Sequence, residues 1–254
     1  MKTKIVVAWH NAAEKTNFCE SWRIEPSDSR VRFQHDKTKM GCAGTKNIGI
    51  ETALDNGAEI IIVLDDDCIA HDGMTLDEFI DCHIAALEPQ PVELFEAVTD
   101  PPSRGTPYFN RSITMPVAAS IGFWTGVGDY DAPGQLVHGA TEPMEFRQGT
   151  IFGRYFPFSG MNFAFRREWA QCAQLVNIAR WDDIFMGYIW QKVAYAKGYC
   201  FNLNGPLVHH SRQSDVFANL RDEAPYFTEN ETLWQRIAEH PSSDYDDLVQ
   251  LLPG

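Results

Sequence analysis

The sequence predicts an α/β fold with a Rossmann-like sheet near its N-terminus. Ile60-Ile61-Ile62-Val63-Leu64 is an unbroken apolar run, the pattern of a strand buried on both faces. Two shorter strand-like segments and a helix precede it, the order of a parallel α/β unit. The run ends on Asp65-Asp66-Asp67. Buried structure does not tolerate three adjacent negative charges unless something cationic offsets them. Acids at the carboxyl end of a buried parallel strand also stand where open α/β sheets bind ligands.

Residues 4–9 read as the first strand, ending at the polar pair His10-Asn11, and residues 30–34 alternate as a second. Residues 45–56 are expected to be helical, with Ile48, Ala53 and Leu54 apolar and Gly57 as the stop. After the buried strand, residues 75–87 read as a helix opened by a capping box, Thr75 with Glu78, and halted by Pro89 and Pro91. Residues 100–157 are rich in Gly, Pro and aromatics, so only short strands are expected there. Helices are expected over 169–178 and 183–197, the second closed by Gly198. Residues 202–209 read as a late strand. Residues 222–254 are acidic, with a helix over 232–239. With no Gly/Ser linker, repeat or low-complexity tract, one domain is the economical expectation.

The chain has 254 residues, a formal net charge of -14 and a pI near 4.9. That balance disfavours broad binding to nucleic acid or anionic membrane. No apolar stretch is long enough to span a bilayer, and residues 5–8 are too short for a secretory signal. The cysteines (Cys19, Cys42, Cys68, Cys82, Cys172 and Cys200) are scattered with no CxxC pair. They read as reduced thiols of a cytoplasmic protein rather than a zinc site or a disulfide scaffold.

Two hard carboxylates one residue apart, Asp65 and Asp67, suit Mg²⁺ or Mn²⁺ with a diphosphate and water completing the shell. The bland alternative is a solvated acidic turn. Asp66 is either a further contact or the residue that orients the turn. Trp9, at the end of the first strand, joins the nucleotide-binding candidates. Lys46 is either a cation that reaches the diphosphate or a surface lysine on an amphipathic helix. His210, in His209-His210-Ser211, is a metal-ligand candidate, although such pairs also occur as packing features. Asp182 and Asp183 are either an N-cap or carboxylates that take a proton or hold a sugar hydroxyl. Ser159 and Asn162 either offer polar groups to a sugar or simply begin a strand. Residues 128–133 are dense in turn formers and read as a structural turn, with a binding loop as the alternative.

Several blocks then occur in order: residues 62–68, Gly122-Phe123-Trp124 with residues 129–137, residues 156–165, Arg180-Trp181-Asp182-Asp183, and residues 210–220. From about residue 46 to residue 220 the chain resembles the reversibly glycosylated polypeptides, which include the plant UDP-arabinopyranose mutases. The resemblance implies a GT-A-type fold, a UDP-sugar donor and a divalent metal, Mn²⁺ or Mg²⁺. It matches Asp65, Asp66 and Asp67 to the family's triple aspartate, His210 to its late histidine, and Asp182 and Asp183 to its paired acids near the sugar. The family carries an arginine associated with self-glycosylation ahead of the segment matching Gly122. Here Ser112 stands at that place and Arg111 is one residue off.

The expected architecture is one GT-A-like domain over 1–254. It divides into a nucleotide-binding half of about 1–100, an acceptor-side half of about 101–220 with Gly/Pro/aromatic-rich insertions, and an acidic segment over 221–254. The expected function is metal-dependent glycosyl transfer from a UDP-sugar, UDP-arabinose foremost, to an unknown acceptor. The alternatives are a UDP-arabinopyranose mutase, a noncatalytic nucleotide-sugar-binding partner and a DNA-base glycosyltransferase. Membrane is not an expected partner; a homo-oligomer is a possible one.

Overall fold

In the computed structural model, which describes residues 1–37, 41–94, 104, 107, 111–139, 145–212 and 215–253, the apolar run lies inside the sheet. The chain begins β1 (Thr3–Trp9), α1 (Ala12–Trp22), β2 (Val31–His35), α2 (Gly41–Asp55), β3 (Ile60–Asp65) and β4 (Cys68–Ala70). It continues with α3 (Leu76–Ala86), β5 (Gln90–Glu93), β6 (Ser112–Met115), β7 (Val117–Gly126), α4 (Ala132–His138) and β8 (Thr150–Ile151). Then follow β9 (Asn162–Arg166), α5 (Asp182–Ala196), β10 (Cys200–His210), α6 (Val216–Glu223), α7 (Phe227–Glu239) and α8 (Tyr245–Val249).

The main sheet has the order β2-β1-β3-β9-β7-β10-β4, with β8 on β10; β5 and β6 form a separate hairpin. β1 is parallel to β2 and β3, β7 is parallel to β10, and β9 lies antiparallel between β3 and β7. So β2, β1, β3, β7 and β10 all run the same way. The α/β class with a Rossmann-like, GT-A-type sheet is therefore the fold observed. Register brings Ala8 beside Asp65, and His210 beside Gly126. The ends of β1, β3, β7 and β10 thus share one edge, which positions the site.

Alternation along β3 sends Ile61 and Val63 to one core and Ile60, Ile62 and Leu64 to the other, all fully buried. Each such side chain contributes about 1.5–3 kcal/mol by leaving water. The first core also takes Ile50 and Ala53 of α2 and Phe185, Ile189 and Trp190 of α5. The second takes Phe18 and Trp22 of α1 and Leu76 and Phe79 of α3. β7 and β10 approach too closely for a side chain at Gly122, where a Cβ would lie 2.2 Å from the Pro206 carbonyl oxygen. Among the described residues no helix is long and apolar enough to cross a membrane.

Several expectations need correction. α1 was not anticipated: Asn11 caps it, its side chain accepting from the Ala13 amide at 2.9 Å, but only Phe18, Cys19 and Trp22 are buried along it. Residues 169–178 are not a continuous helix. A short 3₁₀ turn ends at Trp169, and the Asn47 side chain then claims the Leu175 backbone, donating to its carbonyl at 2.8 Å and accepting from its amide at 2.9 Å. β7 is ten residues long where short strands were expected, because both its faces are buried. The turn expected over 128–133 runs into a helix: Asp131 caps α4 by accepting from the Gly134 amide. Of the stretch 100–157, residues 100–103, 105, 106, 108–110 and 140–144 lie outside the described residues, as do Gln213 and Ser214 of the block 210–220.

Candidate functional site

At the shared strand edge lies a cleft of about 140 Å³. Lys46, Asp65, Asp67, Ser159, Asp182, Asp183 and His210 all wall it. Lys46 is not a surface lysine. It is 3% exposed, its ammonium lies 2.5 Å from Asp65 Oδ1, and it donates to the Gly160 carbonyl at 2.9 Å. Burial works to strip its proton, but the Asp65 carboxylate prevails and holds the ammonium well above its ordinary value. The pair joins α2, the end of β3 and the loop before β9.

Asp67 is clasped from the late strand. His210 Nε2 lies 3.5 Å from Asp67 Oδ2, while His210 Nδ1 is 2.8 Å from the Val127 carbonyl oxygen. A carbonyl only accepts, so Nδ1 carries a proton. Against the effect of burial, the Asp67 carboxylate raises the ring above its ordinary value, so the protonated ring donates from Nε2 to Asp67 and the neutral ring frees that lone pair for a cation. Arg212 Nη2 stands 3.0 Å from the same Asp67 oxygen, and the Ser211 hydroxyl donates to the Asp67 carbonyl at 3.0 Å. Burial would raise the Asp67 carboxyl, but the His210 hydrogen bond and the Arg212 charge hold it below its ordinary range.

Asp182 and Asp183 open α5, whose positive end favours anions. Neither is the N-cap; that position is Trp181, which makes no side-chain capping bond. Asp183 accepts from the Gly160 amide at 2.6 Å and the Ile184 amide at 2.8 Å, so it pins the Ser159-Gly160 loop. A side chain at Gly160 would meet Asp183 Cβ at 2.8 Å, so only glycine fits. Burial, then the neighbouring Asp183 charge, pushes Asp182 up to about 7. Asp129 opens to solvent on one side, yet the protein packed around its carboxyl, followed by Asp183, raises it to about 6. Arg180, held at φ 66°, bonds the buried Glu223 at 3.0 Å, and Glu223 in turn accepts from the Ala132 amide at the start of α4.

Three candidates do not reach the cleft wall. Trp9 stands at the same edge, stacked on His35 at 4.1 Å. Asp66 points to the other side of the turn and is buried; burial, then Asp67 and Asp65, pushes its carboxyl up to about 8. Asn162 is a core residue rather than a ligand: its amide donates to the Pro206 carbonyl, and its oxygen meets His83 Nε2, each at 2.9 Å. Strand alternation takes it away from the cleft that Ser159 and Met161 line. Sequence reasoning missed Arg180, Arg212 and Asp129. Arg180 sits beside Asp182-Asp183 and Arg212 beside His210, so a basic residue next to each anticipated group was the available signal.

The cleft's charge balance tests whether a divalent ion belongs here. The carboxylates of Asp65, Asp67, Asp129, Asp182 and Asp183 outnumber the cations Lys46, Arg180 and Arg212. A diphosphate entering alone would meet an acid excess; one carrying Mg²⁺ or Mn²⁺ would not. Asp67 Oδ2 and His210 Nε2 are the carboxylate–imidazole pair that could take such an ion, with Arg212 Nη2 beside the same oxygen, while Asp65 Oδ1 is engaged by Lys46.

Acid crowding has a measurable cost. A carboxyl raised above its unfolded value of 3.8 stabilises the fold fully below that value and loses the contribution as pH rises through the folded value. Asp182 at about 7 and Asp66 at about 8 spread that loss over the window from 3.8 up to those values, so part of it still lies above about pH 6.5. His83 acts oppositely: its ring is buried, its pKa is lowered to about 4, and it destabilises only below 6.5. Urea unfolding at roughly pH 6.5 and pH 8.5 separates these contributions. The midpoint is expected to be lower at the higher pH and partly restored there by Mn²⁺; equal midpoints would contradict the assignment.

A family model described as reversibly glycosylated polypeptide matches residues 54–235. A probable UDP-arabinopyranose mutase 1 of Pisum sativum is 32% identical over 181 residues, 64% of this chain and 50% of its own. UDP-arabinopyranose mutase 3 of Arabidopsis thaliana is 30% identical over 197 residues, 70% of this chain and 53% of its own. A probable UDP-arabinopyranose mutase 4 of the same plant is 33% identical over 181 residues, 64% of this chain and 50% of its own. The chain spans about half the length of the curated relatives it matches.

Proposed function

The chain belongs to the reversibly glycosylated polypeptide family, and on that premise we propose that it binds a UDP-sugar, UDP-arabinose foremost, and interconverts its pyranose and furanose rings. The observation that supports this most is one cleft joining a cation-fitting edge, Asp67 with His210, to the proton-holding Asp182. Relatives named as mutases favour ring interconversion over transfer to a separate acceptor.

Asp67 and His210 would hold Mn²⁺ or Mg²⁺, which when bound supplies charge neutralisation of the diphosphate as the sugar–phosphate bond breaks. Arg180 and Arg212 offer guanidinium donors suited to phosphate oxygens. Lys46 keeps Asp65 paired and fixes the Gly160 carbonyl, so the loop bearing Ser159 is set before substrate enters. Interchange of ring size moves one proton: the O4 hydroxyl loses it as O4 displaces UDP from C1, and O5 gains it as UDP returns to C1 and displaces O5. A carboxyl poised near 7 suits both halves of that transfer, and we assign it to Asp182. Asp183, committed to two backbone amides, orients the loop instead.

Transfer to an external acceptor remains the second reading, and one observation favours it. Arg111, the arginine nearest the family's self-glycosylated position, donates to the Pro107 carbonyl at 2.5 Å and does not line the cleft. Incubation with UDP-arabinofuranose and Mn²⁺, with no acceptor added, separates the readings. UDP-arabinopyranose is the expected product. Release of free arabinose would point to a transferase deprived of its acceptor. Unchanged substrate despite tight UDP binding would point to a noncatalytic partner.

A further inference from the structure

We propose that His10, Glu14 and Asp66 form a second divalent-cation site, suited to an imidazole-accepting ion of the zinc, cobalt and manganese class. Their ligand atoms come from three elements: His10 just past β1, Glu14 in the first turn of α1, and Asp66 just past β3. These atoms all lie within 4.8 Å of one another, the one such group among the described residues. His10 Nδ1 is 3.8 Å from Glu14 Oε2, so the exposed His10 ring closes by roughly half an ångström for both ligands to sit about 2 Å from one ion at a tetrahedral angle.

Unpartnered oxygens supply the independent indication. Asp66 is 5% exposed, and its enclosed Oδ2 has no hydrogen-bond partner among the described residues. Glu14 Oε2 is likewise enclosed and without a hydrogen bond. Leaving a buried carboxylate oxygen unsatisfied is costly, and two facing one small space doubly so. Arg212 explains why only one oxygen of each carboxylate is free. Its Nη1 donates to Glu14 Oε1 at 2.8 Å and lies 3.9 Å from Asp66 Oδ1. The guanidinium thus orients both carboxylates from outside, in the manner of groups that hold metal ligands in place.

One nitrogen and two oxygens favour Zn²⁺, Co²⁺ or Mn²⁺ over Mg²⁺ here, since imidazole suits them better. A divalent ion there would balance the two carboxylates. The His10 side chain is 63% exposed, which leaves a coordination position open to water or a ligand. His10 and Glu14 lie before the family match at residues 54–235 and Asp66 within it.

Titration of the full chain with Co²⁺ alone, read by visible absorption and calorimetry, tests the site without any nucleotide. The wild type is expected to take up Co²⁺ with a four- or five-coordinate spectrum. His10→Ala and Glu14→Gln should each weaken that uptake about tenfold or more, with unchanged circular dichroism. His210→Ala, which alters the diphosphate side, should leave the spectrum in place. The proposal is overturned if the wild type takes up no Co²⁺, if both His10→Ala and Glu14→Gln bind as the wild type does, or if His210→Ala alone abolishes the signal. Because UDP is absent from the titration, failure here leaves the nucleotide-sugar reading untouched, and failure of that reading leaves this site standing.

Discussion

Replacing Lys46 with methionine is expected to cost about 3 kcal/mol of folding stability near pH 8 and to abolish UDP binding. The ammonium is enclosed between Asp65 and the Gly160 carbonyl. Its removal strands a carboxylate that already faces the charges of Asp67 and Asp183. The loss should shrink as pH falls, because the unpaired Asp65, raised by burial, takes up a proton more readily than an exposed carboxylate. The double variant Lys46→Met with Asp65→Asn should recover most of the stability, since no buried charge is left unpaired. Recovered stability without recovered UDP binding would separate the lysine's two roles. A single variant that unfolds within about 1 kcal/mol of wild type would show that the buried pair does not hold the edge together.

Replacing Asp182 with asparagine is expected to lower ring interconversion by roughly 10²–10⁴-fold, the range associated with loss of a positioned acid–base group. UDP affinity should change little, because Asn keeps the side-chain volume at the start of α5. The wild-type rate should also fall on the acid side of an apparent pKa near 7, and the variant should lose that limb. Stopped and quenched reactions give the rate, and calorimetry with UDP gives the affinity. Full activity in Asp182→Asn would move the proton to another group, and Asp129, raised to about 6, is the alternative in reach of the same cleft.

The sequence made the central strand legible because full burial on both faces erases polar alternation and leaves an unbroken apolar run. The capping box at Thr75 and Glu78 was equally plain, since both halves are local; Thr75 accepts from the Glu78 amide and Glu78 from the Thr75 amide. α1 was hidden because its buried face is only Phe18, Cys19 and Trp22 in eleven residues. The broken segment at 169–178 depends on Asn47, far away in sequence, so no local pattern encodes it.

The candidate site divides in the same way. The acids at the end of β3 follow from the strand itself. The burial of Lys46 does not, because it depends on where Asp65 and Gly160 come to rest across the sheet edge. Asn162 shows the reverse: the loop before it lines the cleft, but the pleat turns its own side chain into the core with His83 and Pro206. Arg212 joins Glu14, Asp66 and Asp67, residues that only the folded chain brings together.

The acidic tip of β3 accepts a nucleoside diphosphate only with a divalent ion between them: that is the claim on which the functional account rests. Calorimetric titration of UDP into the intact protein, with and without Mn²⁺, measures it directly. The account predicts micromolar-range binding with Mn²⁺, a loss of about tenfold or more without it, and the same loss in Asp67→Asn with Mn²⁺ present. Equal UDP binding in all three titrations, or none in any, would contradict it.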